Sequence, residues 1–287
     1  MTGWVQATIS GLLIGGLFAS SALGLSLVLG VTRLVNLVHG DLVVIGSFVA
    51  YAVYSGWGLD PLIGLPVVAL VGALLGGTIQ RSLLQPLVKH GADAPLITTF
   101  ALSIVVENAL VLIFSGDTRS IDRPYTRSAL ELGSITVPVI YVIAFGISMA
   151  VCAAVLVLIT RTSFGRRLRA ASEDDRAAAV LGVRVGGLRT ATYAMAAATS
   201  AIAGALLGMC FAFTPTSGTE YLLTGMAVVV IGGLGSIKGT VLGGLLLGLV
   251  EAWGANVFGD GYRLFFGLLV FLVLMVIRPQ GLYGRTA

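Results

Sequence analysis

Apolar residues run through the chain in long blocks with few polar interruptions. Crossing ~30 Å of hydrocarbon takes about 20 helical residues. Blocks of that order fall near 4–30, 61–80, 95–114, 138–160, 190–213, 238–258 and 262–278. Two shorter blocks, near 40–55 and 221–233, are equally apolar but lie at or under the lower length limit, the pattern of broken or re-entrant helices. Two polar excursions stand out between them, 115–137 and 161–189. The pattern predicts an all-α, polytopic transmembrane helical bundle of about eight or nine membrane segments, a single transmembrane domain over 1–287.

Composition strengthens that picture. The chain is 57% hydrophobic and 10% charged, with a mean hydropathy of +1.00, whereas ordinary globular domains carry roughly 25% charged residues. A soluble core cannot hide this much apolar surface, so the lipid bilayer is the solvent. The 39 glycines follow no short repeat; at this density they suit helices that approach backbone to backbone in lipid. Cys152 and Cys210 sit inside apolar blocks as small hydrophobes, which implies neither a disulfide framework nor a metal site.

Charge sets the expected orientation. Cytoplasmic loops are enriched in Lys and Arg. With nine crossings and the N-terminus outside, the inner side carries Arg33, Arg81, Lys89, the seven arginines from Arg161 to Arg189, Lys238, Arg278 and Arg285, thirteen of the chain's seventeen basic residues. Arg119, Arg123, Arg127 and Arg263 stay outside; making 221–233 re-entrant gives a weaker bias. The expected topology is therefore an external N-terminus, an external 115–137 loop, a cytoplasmic 161–189 loop and a cytoplasmic C-terminus. No charge precedes Arg33, so the first segment lacks the basic start of a cleaved signal and is expected to be a retained span. The basic pI of 9.3 is an orientation signal and calls for no nucleic-acid partner.

Candidate chemistry is sparse. The chain has no G-x-x-x-x-G-K-[ST], no H-E-x-x-H and no C-x-x-C, and only two histidines. It is not expected to hydrolyse ATP or to act as an enzyme. Four places carry polar groups that matter. Asn36, His39, Gly40 and Asp41 interrupt the apolar run after the first segment, either as a helix break on a transport path or as a capped cytoplasmic turn. Gly232, Gly233, Gly235 and Ser236 form a second glycine-rich break in a corresponding place, a membrane break or, far less consistent with its apolar flanks, a phosphate cradle. Glu107 with Asn108 lies mid-segment, lining a path or bonding to a neighbouring helix. Glu251, nearer a segment end, reads as structural or interfacial.

The fourth place is the 161–189 loop. Ser172 followed by Glu173, Asp174 and Asp175 predicts a helix start, Ala177–Leu181 its body and Gly182 its stop. An alanine-faced helix with charged edges suits a groove on a partner protein; the alternative is a solvated loop whose arginines only fix topology.

Taken in order, these residues resemble the branched-chain amino-acid permease family of bacterial ATP-binding-cassette importers. The likeness rests on Asn36…His39-Gly40-Asp41, on Phe164-Gly165-Arg166…Leu168-Arg169-Ala170…Ala179…Leu181-Gly182-Val183, on Gly232-Gly233-Leu234-Gly235-Ser236, on Gly243-Gly244…Gly248…Glu251, and on Arg278-Pro279-Gln280-Gly281-Leu282…Gly284. It implies one of two homologous membrane subunits, working with two cytoplasmic ATPase subunits and a periplasmic substrate-binding protein. ATP and Mg would be bound by the ATPases, with no cofactor on this chain. The path would run by Asn36, His39, Gly40, Asp41, Glu107, Asn108, Gly232, Gly233, Gly235 and Ser236. Gly165, Arg169, Glu173, Asp174, Asp175, Ala179 and Gly182 would couple it to the ATPases, with Glu173 to Gly182 a loose version of the Glu-Ala-Ala loop of other importers. The resemblance extends to relatives that carry amides, urea and other small amino acids. The alternatives are a sugar-type importer permease and a secondary transporter or channel that needs no ATPase.

Overall fold

The computed structural model describes residues 2–32, 35–87, 91, 93–133, 135–278 and 280–283. Arg33, Lys89, Arg285, Pro279 and Gly284, which entered the charge and motif arguments, lie outside the described residues.

Helices dominate. The long ones are α1 (Thr2–Thr32), α2 (His39–Trp57), α3 (Leu65–Leu87, whose Ile79–Leu84 stretch is wound as π-helix), α4 (Asp93–Phe114) and α5 (Val139–Arg161). Two short helices follow, α6 (Ser163–Glu173) and α7 (Asp175–Val180), and then α8 (Val185–Cys210), α9 (Gly218–Gly232), α10 (Ile237–Phe258) and α11 (Arg263–Ile277). Among the described residues eight helical spans are long and apolar enough to cross a membrane. The 40–55 block belongs to a full 19-residue span that begins at polar His39, while 221–233 is the 15-residue α9, short of the usual length.

The chain nevertheless runs from one end of the bundle to the other between Phe213 and Gly232, α9 forming the later part. At one end, Trp4 packs on Trp253, and Gln6 bonds Thr136 of the antiparallel hairpin β1 (Ala129–Leu132) and β2 (Ile135–Pro138). There too Arg119 pairs with Phe213, just ahead of α9. At the other end Gly30 meets Gly235, and the chain after α11 returns so that Leu282 and Tyr283 donate to the carbonyls of Ile231 and Gly232, 2.9 and 3.0 Å away. The start of α1 and Tyr283 thus lie at opposite ends. The 161–189 segment sits at the Tyr283 end, since Arg169 and Tyr283 border one cleft.

α1 and α8 form the buried centre, and α4 and α11 the periphery. Glycine makes the central contacts possible. On α1 and α10, which run antiparallel, a Cβ at Gly15 would lie 2.7 Å from the Gly244 carbonyl oxygen, and one at Gly248 2.4 Å from that of Gly11. In lipid such close approach supplies dispersion contacts that hydrophobic burial cannot.

Candidate functional site

α2 begins inside the bundle. His39 Nε2 lies 3.1 Å from the Ser21 carbonyl of α1, eleven residues and so about 16 Å of helix rise before the end of α1 at Thr32. A carbonyl only accepts, so Nε2 carries the proton, and Nδ1 faces Ser200 Oγ of α8 at 3.4 Å. Asn36, His39 and Asp41 are all 3% exposed or less. The Leu37 amide reaches Thr99 Oγ1 of α4 at 3.4 Å, and the Asn36 side chain faces Tyr193 of α8. A polar break is therefore enclosed by α1, α4 and α8 inside the bundle, the setting in which non-helical backbone is tolerated in a membrane protein.

Gly40 is required by this packing: a Cβ there would come within 1.9 Å of the Gly218 carbonyl oxygen at the start of α9. A Cβ on Gly204 of α8 would meet the Val43 carbonyl at 1.8 Å, so α2 is seated on both neighbours without slack. Asp41 faces Ser103 and Glu107 of α4, and its Oδ2 has no hydrogen-bond partner. Of the two mid-segment candidates, Glu107 joins the break. Asn108 lies on the exposed face of α4, its Nδ2 donating to its own helix at Ile104, 2.8 Å.

The second glycine motif sits elsewhere. Gly233 and Gly235 adopt φ of +103° and +75° in a tight turn at the Tyr283 end, and Gly232 and Gly239 touch backbone to backbone. Ser236 caps α10 by accepting from the Gly239 amide at 3.1 Å. The glycine of α9 that faces His39 is Gly225, seven residues and about 10 Å of rise from Gly232. The two breaks are thus separate places, one in the middle of the bundle and one at its end.

In the 161–189 segment, Thr162 caps α6 by accepting from the Gly165 amide at 3.3 Å. A Cβ on Gly165 would strike the Ile159 carbonyl, and Arg169 donates to that same carbonyl, so both fasten α6 to the end of α5. The expected start at Ser172 is corrected: Ser172 belongs to α6, its Oγ donating to the Arg169 carbonyl. Asp174 is the cap of the next helix, accepting from the amides of Arg176 and Ala177 at 2.8 and 3.0 Å. These amides hold the Asp174 carboxyl below the usual carboxylate range. Asp175 pairs with Arg189 of α8. Gly182, at φ +84°, closes α7, with the Val183 amide donating to the Ala178 carbonyl at 3.0 Å.

Five of the seven expected coupling residues therefore build the element, while Glu173 lies on its surface. Beside Ala179, Val180 and Leu181, expected only as part of the helix body, are 88% and 82% exposed. Consecutive bulky apolar residues left bare at a helix end point to a partner surface. Glu251, expected to be structural or interfacial, is buried. It is 7% exposed and opens onto a cavity of about 200 Å3 shared with Ser217, Glu220, Thr224 and Arg263.

Comparison with known proteins decides the family. The model of the branched-chain amino acid transport system permease component matches residues 7–277. This chain belongs to that permease family. The high-affinity branched-chain amino acid transport system permease protein BraD of Pseudomonas aeruginosa is 32% identical, the alignment covering 98% of this chain and 96% of that protein. The permease protein LivH of the corresponding Escherichia coli system is 26% identical over the same shares. The ribose import permease protein RbsC of Bacillus subtilis is 30% identical over 68% of this chain and 62% of its own. Among solved structures, PsaBC from Streptococcus pneumoniae in complex with Fab has a TM-score of 0.50 at 16% identity, covering 99% of this chain and 94% of that one, a likeness of fold alone. The permease is a multi-pass membrane protein whose family members are transport components.

Proposed function

We propose that this permease is the membrane-spanning subunit of an ATP-binding-cassette importer. It would translocate branched-chain amino acids or similar small polar solutes handed over by a periplasmic binding protein, in the bacterial inner membrane. The observation that carries the reading is the family match over 7–277 together with the bare Val180-Leu181 tip on a short-helix arm. The 161–189 segment that carries the arm holds seven arginines, which favours a cytoplasmic position and an external hairpin end, hence N-terminus outside and C-terminus inside.

In this reading a second, homologous permease completes the path, and two ATPase subunits bind ATP and Mg and carry out the hydrolysis. The apolar tip of α7 enters a groove on an ATPase. When the ATPases close, force on the tip passes through Gly165 and Arg169 to the end of α5, and through Asp175–Arg189 to α8. α8 carries Ser200 and Gly204, which hold the buried break of α2, so a shift of α8 would move one wall of the path between outward and inward openings. His39, Asp41 and Glu107 would border that path.

The test is affinity purification from the native membrane in mild detergent with partner identification, followed by ATP-dependent uptake in proteoliposomes. Two ATPases and a second permease are expected, with uptake of leucine, isoleucine or valine. Leu181→Asp combined with Val180→Asp should lower uptake at least about tenfold without loss of folded protein. A stable, transport-competent assembly without an ATPase would overturn the reading and favour a secondary transporter. Uptake of ribose alone would favour a sugar-type permease, for which the RbsC likeness speaks.

A further inference from the structure

Glu251 lies in α10, seven residues before its end, with its side chain inside the bundle. Gly267 of α11 makes room for it, since a Cβ there would sit 2.6 Å from Glu251 Oε1. Its charged neighbours are Arg263 and Glu220, and with them Glu251 lines the cavity of about 200 Å3 bounded by α1, α8, α9, α10 and α11. Phe18 and Leu207 give the lining an aliphatic and aromatic face, Ser217 and Thr224 add hydroxyls, and Glu220, Arg263 and Leu264 complete it. Arg263 uses Nε and Nη2 on Asp260, at 3.0 and 2.9 Å, which leaves donors of its planar fork unused.

A carboxylate inside a membrane bundle is costly unless something neutralises it or bonds to it. A metal ion fits poorly, because the guanidinium stands at the same cavity and no group of three His, Cys, Asp or Glu gathers among the described residues. The cavity is smaller than the ~300–1,000 Å3 sites of drug-sized ligands, so its occupant is a small molecule. The lining asks for three features at once: a cationic group at Glu251, an anionic group toward Arg263, and an aliphatic body between them against Phe18 and Leu207.

We infer that this cavity is an amino-acid subsite inside the permease, taking one zwitterion with an aliphatic side chain, its ammonium on Glu251 and its carboxylate toward Arg263. The inference rests on the permease reading and adds to it a station within a single subunit, on the hairpin side of the buried break. Charge complementarity at both ends would let it discriminate against neutral amides and sugars, because these offer no opposite charge to Glu251 or to the remaining donors of Arg263.

The test uses the assembled importer in lipid nanodiscs with the diazirine analogue of leucine as photolabel. Adducts are expected on peptides containing Phe18, Leu207 or Leu264 and should be competed by leucine but not by leucinamide or ribose. Glu251→Gln should cut this labelling at least about tenfold, equivalent to ~1.4 kcal/mol of binding. Should that variant fail to assemble, Leu264→Trp fills the cavity from its rim and should abolish labelling while Glu251 stays in place. Wild-type labelling in either assembled variant, or adducts confined to other helices, would overturn the subsite. The permease reading is scored separately, by ATP-dependent uptake in the unmodified complex: labelled cavity without uptake would sink that reading and leave the subsite standing.

Discussion

The buried break at Asn36–Asp41 and the arm from Ser163 to Gly182 are both departures from a plain membrane helix, but they are built by opposite means. The break is fixed by backbone contact: Gly40 on Gly218, Gly204 on Val43, Gly46 on Ala201, with His39 wedged between α1 and α8. The arm is fixed by caps and single side chains, Thr162, Asp174, Arg169 and the Asp175–Arg189 pair, and leaves Val180 and Leu181 bare. Backbone packing is stiff because a few tenths of an ångström meet hard repulsion, whereas a capped short helix moves as a unit on its two ends. One region is suited to hold shape within the membrane and the other to be moved from outside it.

The largest expected effect comes from breaking the stiff region. Gly40→Ala places a methyl 1.9 Å from the Gly218 carbonyl oxygen, where no flexible side chain can yield. The start of α2 or of α9 must shift, at a cost of about 3 kcal/mol or more. A sharp fall in thermal stability in detergent is expected, with loss of uptake. Gly56→Ala, in the same helix but with nothing within 4 Å, is the matched control and should melt at or slightly above the unmodified protein. Equal melting of the two variants would mean that the break is as compliant as the arm, and the contrast would fall.

Much of this contrast was legible in the sequence, though unevenly. The seven long apolar blocks became long helices because lipid leaves the backbone no other partner than itself. Block 40–55 looked short because its true first turn holds His39 and Asp41; polar residues are admitted there only by packing against Ser21, Ser200 and Gly218, which no local pattern announces. The helix stop at Gly182 was readable from glycine chemistry. The start was misplaced by two residues because Ser172 and Asp174 are both good caps, and α6, running on through Ser172, decides between them. The two glycine breaks looked equivalent because periodicity gives no depth. Glu251 looked interfacial from its nearness to a helix end, and only the seat that Gly267 provides on α11 turns it inward.

A smaller effect should come from the arm's hinge. Gly182 adopts φ +84° with open space around it, so Gly182→Ala adds no clash and only the left-handed strain, on the order of 1 kcal/mol. The fold should survive, while hydrogen exchange of the Gly182 and Val183 amides, which donate to Ala179 and Ala178, should accelerate severalfold. Gly182→Asn, which tolerates that conformation better, should fall between. Global unfolding of the alanine variant would show that the arm is locked into the bundle and is no independent unit.

The mildest test is pH. The Asp174 carboxylate accepts from the amides of Arg176 and Ala177, and these bonds hold its pKa below the ordinary value of ~3.9. For a depressed carboxyl the sign is fixed: its contribution to α7 is complete above the ordinary value and is lost as pH falls through the lowered one. Exchange of the Ala177 amide should therefore be well protected near neutrality and, corrected for intrinsic rates, lose protection only in strong acid. The cluster at Ser21, His39 and Ser200 should keep its protection over the lower part of that range, since it is closed off by packing. Asp174→Asn keeps a capping oxygen but no charge, so it should flatten the acid dependence at the arm alone. A pH response shared equally by arm and break in that variant would show the two regions to be one cooperative unit and remove the basis for assigning them different work.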